Sequence, residues 1–312
     1  MAPSAVESVE AAKADLSSST RMTAVLAENI KKTADDKFLG SGDPSLAHVA
    51  EDYGRPPVFD DPYAYRAFLK HRLALAFRVF ASQGFMEGIA GHITVRDPVD
   101  PTSFWVNPFG THFALITDDD LIRVSHEGKV IEGGKNQMLN YAAFAIHSEI
   151  HNARPDVLCA AHSHSLYGRA MCATGRTLDM LTQDFCIFYE DHVLYPNFSG
   201  VVLAAEEGKR IAAALGPRKA AFLGNHGILT AGATIEATVN WFVLLEKCSR
   251  VQLVAEAAVG GRREELIKIG PEEALNSWKA IGSSDAGYFG GLPLFQMAER
   301  EFGESTLLGR GV

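Results

Sequence analysis

His162 and His164 flank Ser163 at the end of a short apolar run, VLCAAHSH, and His226 follows 62 residues after His164, closing a second such run, AAFLGNHG. Residues two apart on a strand project from one face, so the first two imidazoles can reach a single metal ion. Three imidazoles converging at strand ends fill three positions of a tetrahedral or octahedral site. They leave the remaining positions to water or substrate, as a catalytic ion requires and a structural ion does not. The expectation is one divalent metal ion per subunit on His162, His164 and His226, zinc first, with iron(II) or manganese(II) as the other choices. An H-x-H pair recurs by chance in many strands, so its weight comes from the residues around it.

The elements that must position these histidines can be read from periodicity. DPYAYRAFLKHRLALAFRVFASQG carries apolar residues at helical spacing, with Asp61 at its start and Gly84 at its end, and reads as a capped amphipathic helix. GHITVRDP and SFWVNPFG read as two short strands, and DDDLIRVSHEGKVIEG as a strand pair turning at Glu127-Gly128. A second strong helix is expected over Leu139–Asn152, stopped near Arg154-Pro155, followed by the buried strand that ends in His162 and His164. Then come a helix over Ser165–Thr174, a strand near Cys186–Tyr189, a helix over Ala204–Leu215, AAFLGNHGILTAG as one strand, and a long helix over Ile235–Val259. Strands and helices mix without regular βαβ alternation, which favours a mixed sheet covered by helices over a Rossmann fold or a TIM barrel.

Residues 1–60 are rich in Ala, Ser, Asp, Glu and Lys and read as a mobile extension, with one frayed helix around Arg21–Lys37. Residues 61–260 form the globular metal-binding domain, and residues 261–312 a helical tail that packs on the core or on a neighbouring subunit. The net charge of −9 and the lack of a basic run argue against nucleic acid as a partner. The four cysteines, Cys159, Cys172, Cys186 and Cys248, are scattered without a C-x-x-C pair, as expected of reduced thiols. No stretch approaches the ~18 apolar residues of a membrane span, and no secretory pattern opens the chain, so a cytoplasmic protein is expected.

RPDVLCAAHSHS and FLGNHGILTAG together resemble the paired metal segments of the class II aldolase/adducin family. GIAGHITVRDP and PFGTHFALITDDDLIRVSHEGKVIEG resemble two further segments of that family, in the same order, and the resemblance runs from about Tyr65 to Ala258. It implies a three-layer α/β/α domain around a central mixed, mainly antiparallel sheet. It also implies assembly as a homotetramer with sites at subunit interfaces and a small-molecule substrate.

In the sugar-phosphate aldolases of that family a Ser-Ser-Glu triplet opens the helix before the H-x-H strand; the Glu is the acid/base and the serines hold phosphate. Here the triplet falls on Tyr141, Ala142 and Ala143. The family's phosphate-cradling Gly-Asn pair becomes Gly91-His92, so a phosphorylated sugar is not the expected substrate. Glu149 lies about 120° around the helix from Ala143 and points away, whereas Asn140 lies about 60° away on the same side. Asn140 and His92 are therefore candidates for catalysis. The resemblance adds Tyr189, since in related enzymes the stretch LTQDFCIFYEDHVLYPNF approaches the metal and supplies a tyrosine proton donor. Gly91, Thr94 and Gln183 are the expected substrate contacts. His147 and His151 continue the Ala143 face at i, i+4 spacing, and His147 reads as a structural hydrogen-bonder.

Three functions follow from this reading. The first is a metal-dependent lyase, a retro-aldol or decarboxylation on a small non-phosphorylated carbonyl. The second is an iron(II)-dependent oxygenase or oxidative decarboxylase of secondary metabolism, which the missing Glu favours. The third is a non-catalytic interaction module of the adducin kind, which three intact histidines disfavour.

Overall fold

The computed structural model describes residues 55–198, 200 and 205–302, so the helix expected around Arg21–Lys37 lies outside the described residues. The first helix, α1 (Pro62–Ser82), starts where Asp61 accepts hydrogen bonds from the backbone N–H groups of Tyr63 and Ala64. Those donors have no partner inside the helix, and Pro62 at its first turn forfeits none. Four strands follow: β1 (His92–Arg96), β2 (Ser103–Val106), β3 (Ile122–Ser125) and β4 (Val130–Gly133). Next come α2 (Tyr141–Ala153), β5 (Cys159–Ser163), α3 (Leu166–Thr174), β6 (His192–Tyr195), α4 (Ala205–Leu215), β7 (Ala220–Leu223), β8 (Gly227–Gly232) and α5 (Ile235–Ala258). The last two helices are α6 (Pro271–Ile281) and α7 (Ser284–Phe302).

The eight strands form one sheet in the order β4-β3-β2-β1-β5-β8-β7-β6. Every neighbouring pair is antiparallel except β6 with β7. One face carries Ile93, Val95, Cys159, Ala161, Phe222 and Ile228 into a large core with α1, α3, α5 and α7. The other face carries Ala160, Ala221, Leu229 and Ala231 into a smaller core under α2 and α4. The architecture is thus the three-layer α/β/α sandwich, with a mixed and mainly antiparallel sheet.

Two local expectations are corrected. No strand forms at Cys186–Tyr189; that stretch lies in a 3-10 helix, Gln183–Phe188, and the strand begins later at His192. Phe185, Cys186, Ile187 and Phe188 are all buried, and a wholly apolar run of that length does not by itself separate a strand from a turn of helix. Likewise AAFLGNHGILTAG is two strands, not one. Gly224, Asn225 and His226 turn the chain between β7 and β8, with Leu223 facing Gly227 across the hairpin. Asn225 takes a left-handed conformation (φ 54°), which asparagine tolerates better than most side chains do.

The helices after residue 260 are packed into the larger core. Phe295 of α7 is 1% exposed, and Arg72 of α1 pairs with both Glu236 of α5 (2.7 Å) and Glu299 of α7. Lys219, just before β7, is buried with its ammonium group on Asp191 (2.9 Å), on the carbonyls of Ile187 and Gly282, and over the Trp241 ring. A buried ammonium group is tolerable only with such a full set of partners.

Candidate metal centre

β5 ends, β7 ends and β8 begins at the same edge of the sandwich, and the three histidines meet there. Their candidate ligand atoms all lie within 4.8 Å of one another. Ring centroids are 5.2 Å apart for His162–His164 and 4.8 Å apart for both His162–His226 and His164–His226. The hairpin turn explains how a residue 62 positions away arrives: His226 stands at the tip, and Ser163 pairs with Ile228 directly beside it.

The donor set suits a divalent ion. His162 is 1% exposed, and its Nδ1 lies 2.9 Å from the carbonyl of Ile228. A carbonyl only accepts, so Nδ1 carries the proton and the lone pair of Nε2 is presented to the site, as metal-ligating imidazoles require. Burial holds His162 well below its ordinary pKa, and neighbouring His226, His92 and His164 act in the same direction. His226 is lowered to about 4, first by burial and then by His164, with Glu207 opposing. His164 is lowered by burial and by the Arg169 guanidinium. All three are therefore neutral at pH 7, the form that binds metal.

Gly227 shows how closely the site is built. A Cβ there would stand 2.6 Å from the Ser163 carbonyl, 3.1 Å from the His162 ring and 3.2 Å from the His164 ring. Gly227→Ala is expected to splay both imidazoles, lowering metal affinity about 10-fold or more and stability by ~1–3 kcal/mol. Metal titration together with thermal unfolding checks this; an alanine variant with unchanged affinity would refute it.

His92 is brought to the cluster. It pairs with His162 across β1 and β5, its ring centroid is 5.0 Å from that of His162 and 4.3 Å from that of His147, and it is 4% exposed. Both its ring nitrogens are buried without a hydrogen-bond partner. Gly91 lies beside it (φ 97°), close enough that a Cβ would meet the His162 carbonyl at 3.3 Å.

The other candidates are placed differently from expectation. Thr94 is buried, and its hydroxyl bridges Nδ1 of His147 (2.7 Å) and Nε2 of His151 (2.9 Å), so it braces α2 rather than facing substrate. The Asn140 carbonyl oxygen accepts from the N–H groups of Ala142 and Ala143, so the side chain caps α2. Tyr189 and Gln183 do not join the cluster within this chain. Tyr189 precedes β6, and because β6 runs parallel to β7 that end of the strand faces Ala220, away from His226. Gln183 is exposed at the start of the 3-10 helix whose phenylalanines fill the core on the other face of the sheet.

Some residues near the centre were not anticipated. Ser163, between two of the histidines, donates to the Phe85 carbonyl (3.0 Å) and to Glu87 (3.1 Å), whose carboxyl is pushed up by burial. Tyr195, at the end of β6 opposite Leu223, lines a small cleft with Phe198, Glu207 and His226. Nothing in the local sequence marks either acid, because each is carried to the site by a connection outside the histidine motifs.

Comparison with known proteins places these features. The model of the Class II Aldolase and Adducin N-terminal domain matches residues 71–253. A protein named Decarboxylase NovR from Streptomyces niveus is 46% identical over 258 residues, covering 81% of this chain and 93% of that protein. One named 4-hydroxy-3-prenylphenylpyruvate oxygenase/4-hydroxy-3-prenylbenzoate synthase, from Streptomyces roseochromogenus subsp. oscitans, is 45% identical, covering 81% of this chain and 90% of that protein. Among solved structures, an L-fuculose 1-phosphate aldolase from Glaciozyma antarctica PI12 superposes with a TM-score of 0.74 at 46% identity, over 80% of this chain and 96% of that one.

Proposed function

The chain belongs to the family of the Class II Aldolase and Adducin N-terminal domain, and on that footing we propose that it is a metal-dependent lyase acting on a small, non-phosphorylated carbonyl compound. The observation that carries the reading is the convergence of three neutral imidazoles, His162, His164 and His226, with ligand atoms within 4.8 Å of one another. These residues would hold the ion, and Ile228 would fix the His162 tautomer through its carbonyl. When bound, the ion supplies Lewis acidity at the substrate carbonyl, favouring retro-aldol cleavage or decarboxylation.

The chain's own residues shape what can enter. Ala142 and Ala143 offer no hydroxyl and no carboxylate at the head of α2, and His92 replaces an amide, so nothing there cradles a phosphate. His92 instead offers an imidazole N–H from a buried, unpartnered ring, fit to donate to a carboxylate or carbonyl oxygen of the substrate. Burial keeps His92 neutral, so it holds a donor and an acceptor at once. Phe198, Leu166 and Ile89, exposed in the segments that border the centre, suit cover by a second subunit, in keeping with a homotetramer. No helix among the described residues is long and apolar enough to cross a membrane.

A second reading, an iron(II)-dependent oxidative decarboxylase, is favoured by the all-imidazole donor set with Ala143 in place of a carboxylate, and by the relative named as an oxygenase. Elemental analysis of the protein purified without added metal, with turnover assayed in air and under argon, separates the two. Zinc with anaerobic cleavage of oxaloacetate supports the lyase. Iron with oxygen uptake on 4-hydroxyphenylpyruvate supports the oxygenase. Absence of metal would refute both and leave a scaffold of the adducin kind.

A further inference from the structure

α2 and α4 cover the imidazole face side by side, and both begin at the metal edge of the sheet. α2 runs away from it, since His147 meets Thr94 of β1 and, one turn later, the carbonyl of His151 meets Arg96 further along the same strand. The far end of α4 joins the far end of α2 through Arg154 and the Gly216 carbonyl. The head of α2 carries no acid near the site, but the head of α4 does. Glu207 is 6% exposed, lines the same cleft as His226, and exerts its charge on that imidazole.

α4 reaches this position because the contact between the two helices is made of small residues. Gly208 lies so close to the Ala145 carbonyl that no Cβ would fit, and Ala143 and Ala145 are themselves buried. The carboxylate of Glu207 accepts the hydroxyl proton of Tyr195 at 2.7 Å, and Arg210 contacts both, its Nε lying 3.4 Å from the phenol oxygen. Tyr195 is 5% exposed and stands on β6 opposite Leu223, three residues before His226. The Glu207 carboxylate orients the phenol hydroxyl, and the Arg210 guanidinium is a cation placed beside its oxygen.

We propose that Tyr195, held by Glu207 and Arg210, is the proton-transfer group of this site, doing the work of the acid/base that Ala143 cannot do. The inference rests on the lyase reading above. Cleavage of the carbon–carbon bond leaves its electron pair on the carbon next to the carbonyl, as an enolate. The Tyr195 hydroxyl gives its proton to that carbon, and the phenolate, facing Arg210, takes one back. In a retro-aldol cleavage the transfer starts from the phenolate. It takes the proton of the substrate hydroxyl as the carbon–carbon bond breaks and the C=O forms, and then gives that same proton to the enolate carbon. In a decarboxylation carbon dioxide leaves first, the Tyr195 hydroxyl protonates the enolate carbon, and water reprotonates the phenolate with release of hydroxide. Protons and electrons balance in either case.

The test uses full-length, metal-loaded protein and oxaloacetate, with Tyr195→Phe and Glu207→Gln compared with the parent chain. Tyr195→Phe is expected to keep metal content and KM within about twofold while kcat falls ~100-fold or more, the usual weight of a positioned proton donor. Glu207→Gln should lower kcat about 10-fold with the same split, because it removes the carboxylate charge and leaves a neutral amide oxygen of the same shape as the acceptor. A purely structural role would instead lower the melting temperature and change metal content and KM together. Should Tyr195→Phe not fold, the isosteric Glu207→Gln decides. Full metal content with kcat within threefold of the parent in the folded variants overturns this inference alone. Absence of metal, iron with obligatory oxygen uptake, or a metal-loaded parent that does not cleave oxaloacetate overturns the lyase reading and this inference with it.

Discussion

His162→Ala is expected to abolish stoichiometric metal binding and to lower turnover by at least about 100-fold, since changing merely a partner of a ligand costs roughly 10–100-fold. Among the three histidines, His162 has the deepest burial and a tautomer fixed by Ile228. Its loss removes one of three protein ligands and one hydrogen bond to a buried carbonyl, costing ~1 kcal/mol of stability. The chain should still fold, because Ala160 and Ala161 on β5 already pack as small residues and the sheet pairing is a backbone matter. Metal per chain by mass spectrometry and the thermal midpoint measure the two effects separately. A variant that retains one metal ion per chain would mean that the ion sits elsewhere.

The second large effect is acid lability. His92, His147, His151 and His162 are each held well below the ordinary imidazole pKa by burial, and His226 is lowered to about 4. Unfolding frees these rings to take up protons below about pH 6.5, so the unfolded state binds more protons there and stability rises with pH. The contribution is complete above that value and is lost as the pH falls toward the folded pKa values. Each ring adds up to ~1.4 kcal/mol per pH unit wherever it is charged unfolded and neutral folded, so the loss of stability on acidification is steep. Urea unfolding of metal-free protein between about pH 7 and pH 5 should show a steeply falling midpoint, and His147→Gln should flatten it by close to one proton. A midpoint that stays level across that range would contradict the neutral burial of these rings.

The histidine cluster was legible in the sequence because two of its members sit on one strand and the apolar runs around all three are short and closed by polar residues. The helices Pro62–Ser82, Tyr141–Ala153 and Ile235–Ala258 were legible too, since each has a polar cap before a long apolar period. What was hidden is relational. The hairpin between β7 and β8 hangs on one left-handed asparagine inside an otherwise continuous apolar run. The choice between Tyr189 and Tyr195 depends on which end of β6 meets the metal edge, and that follows from its parallel pairing with β7. Glu207 looks like any acid in the first turn of an amphipathic helix until Gly208 is seen pressed on Ala145. Asn140 was expected to serve the pocket, yet its position just ahead of a helix already favoured a capping role.

The family match ends at residue 253, but the Arg72 guanidinium does not recognise that boundary. It spans the first helix, the long helix and the last one through Glu236 and Glu299, while Lys219 leans on the carbonyl of Gly282. A fragment trimmed to the matched segment would expose the apolar bed of Phe295 and leave two cations short of partners. For anyone designing an expression fragment or grafting this domain onto another protein, the helix Ser284–Phe302 therefore belongs with the matched segment.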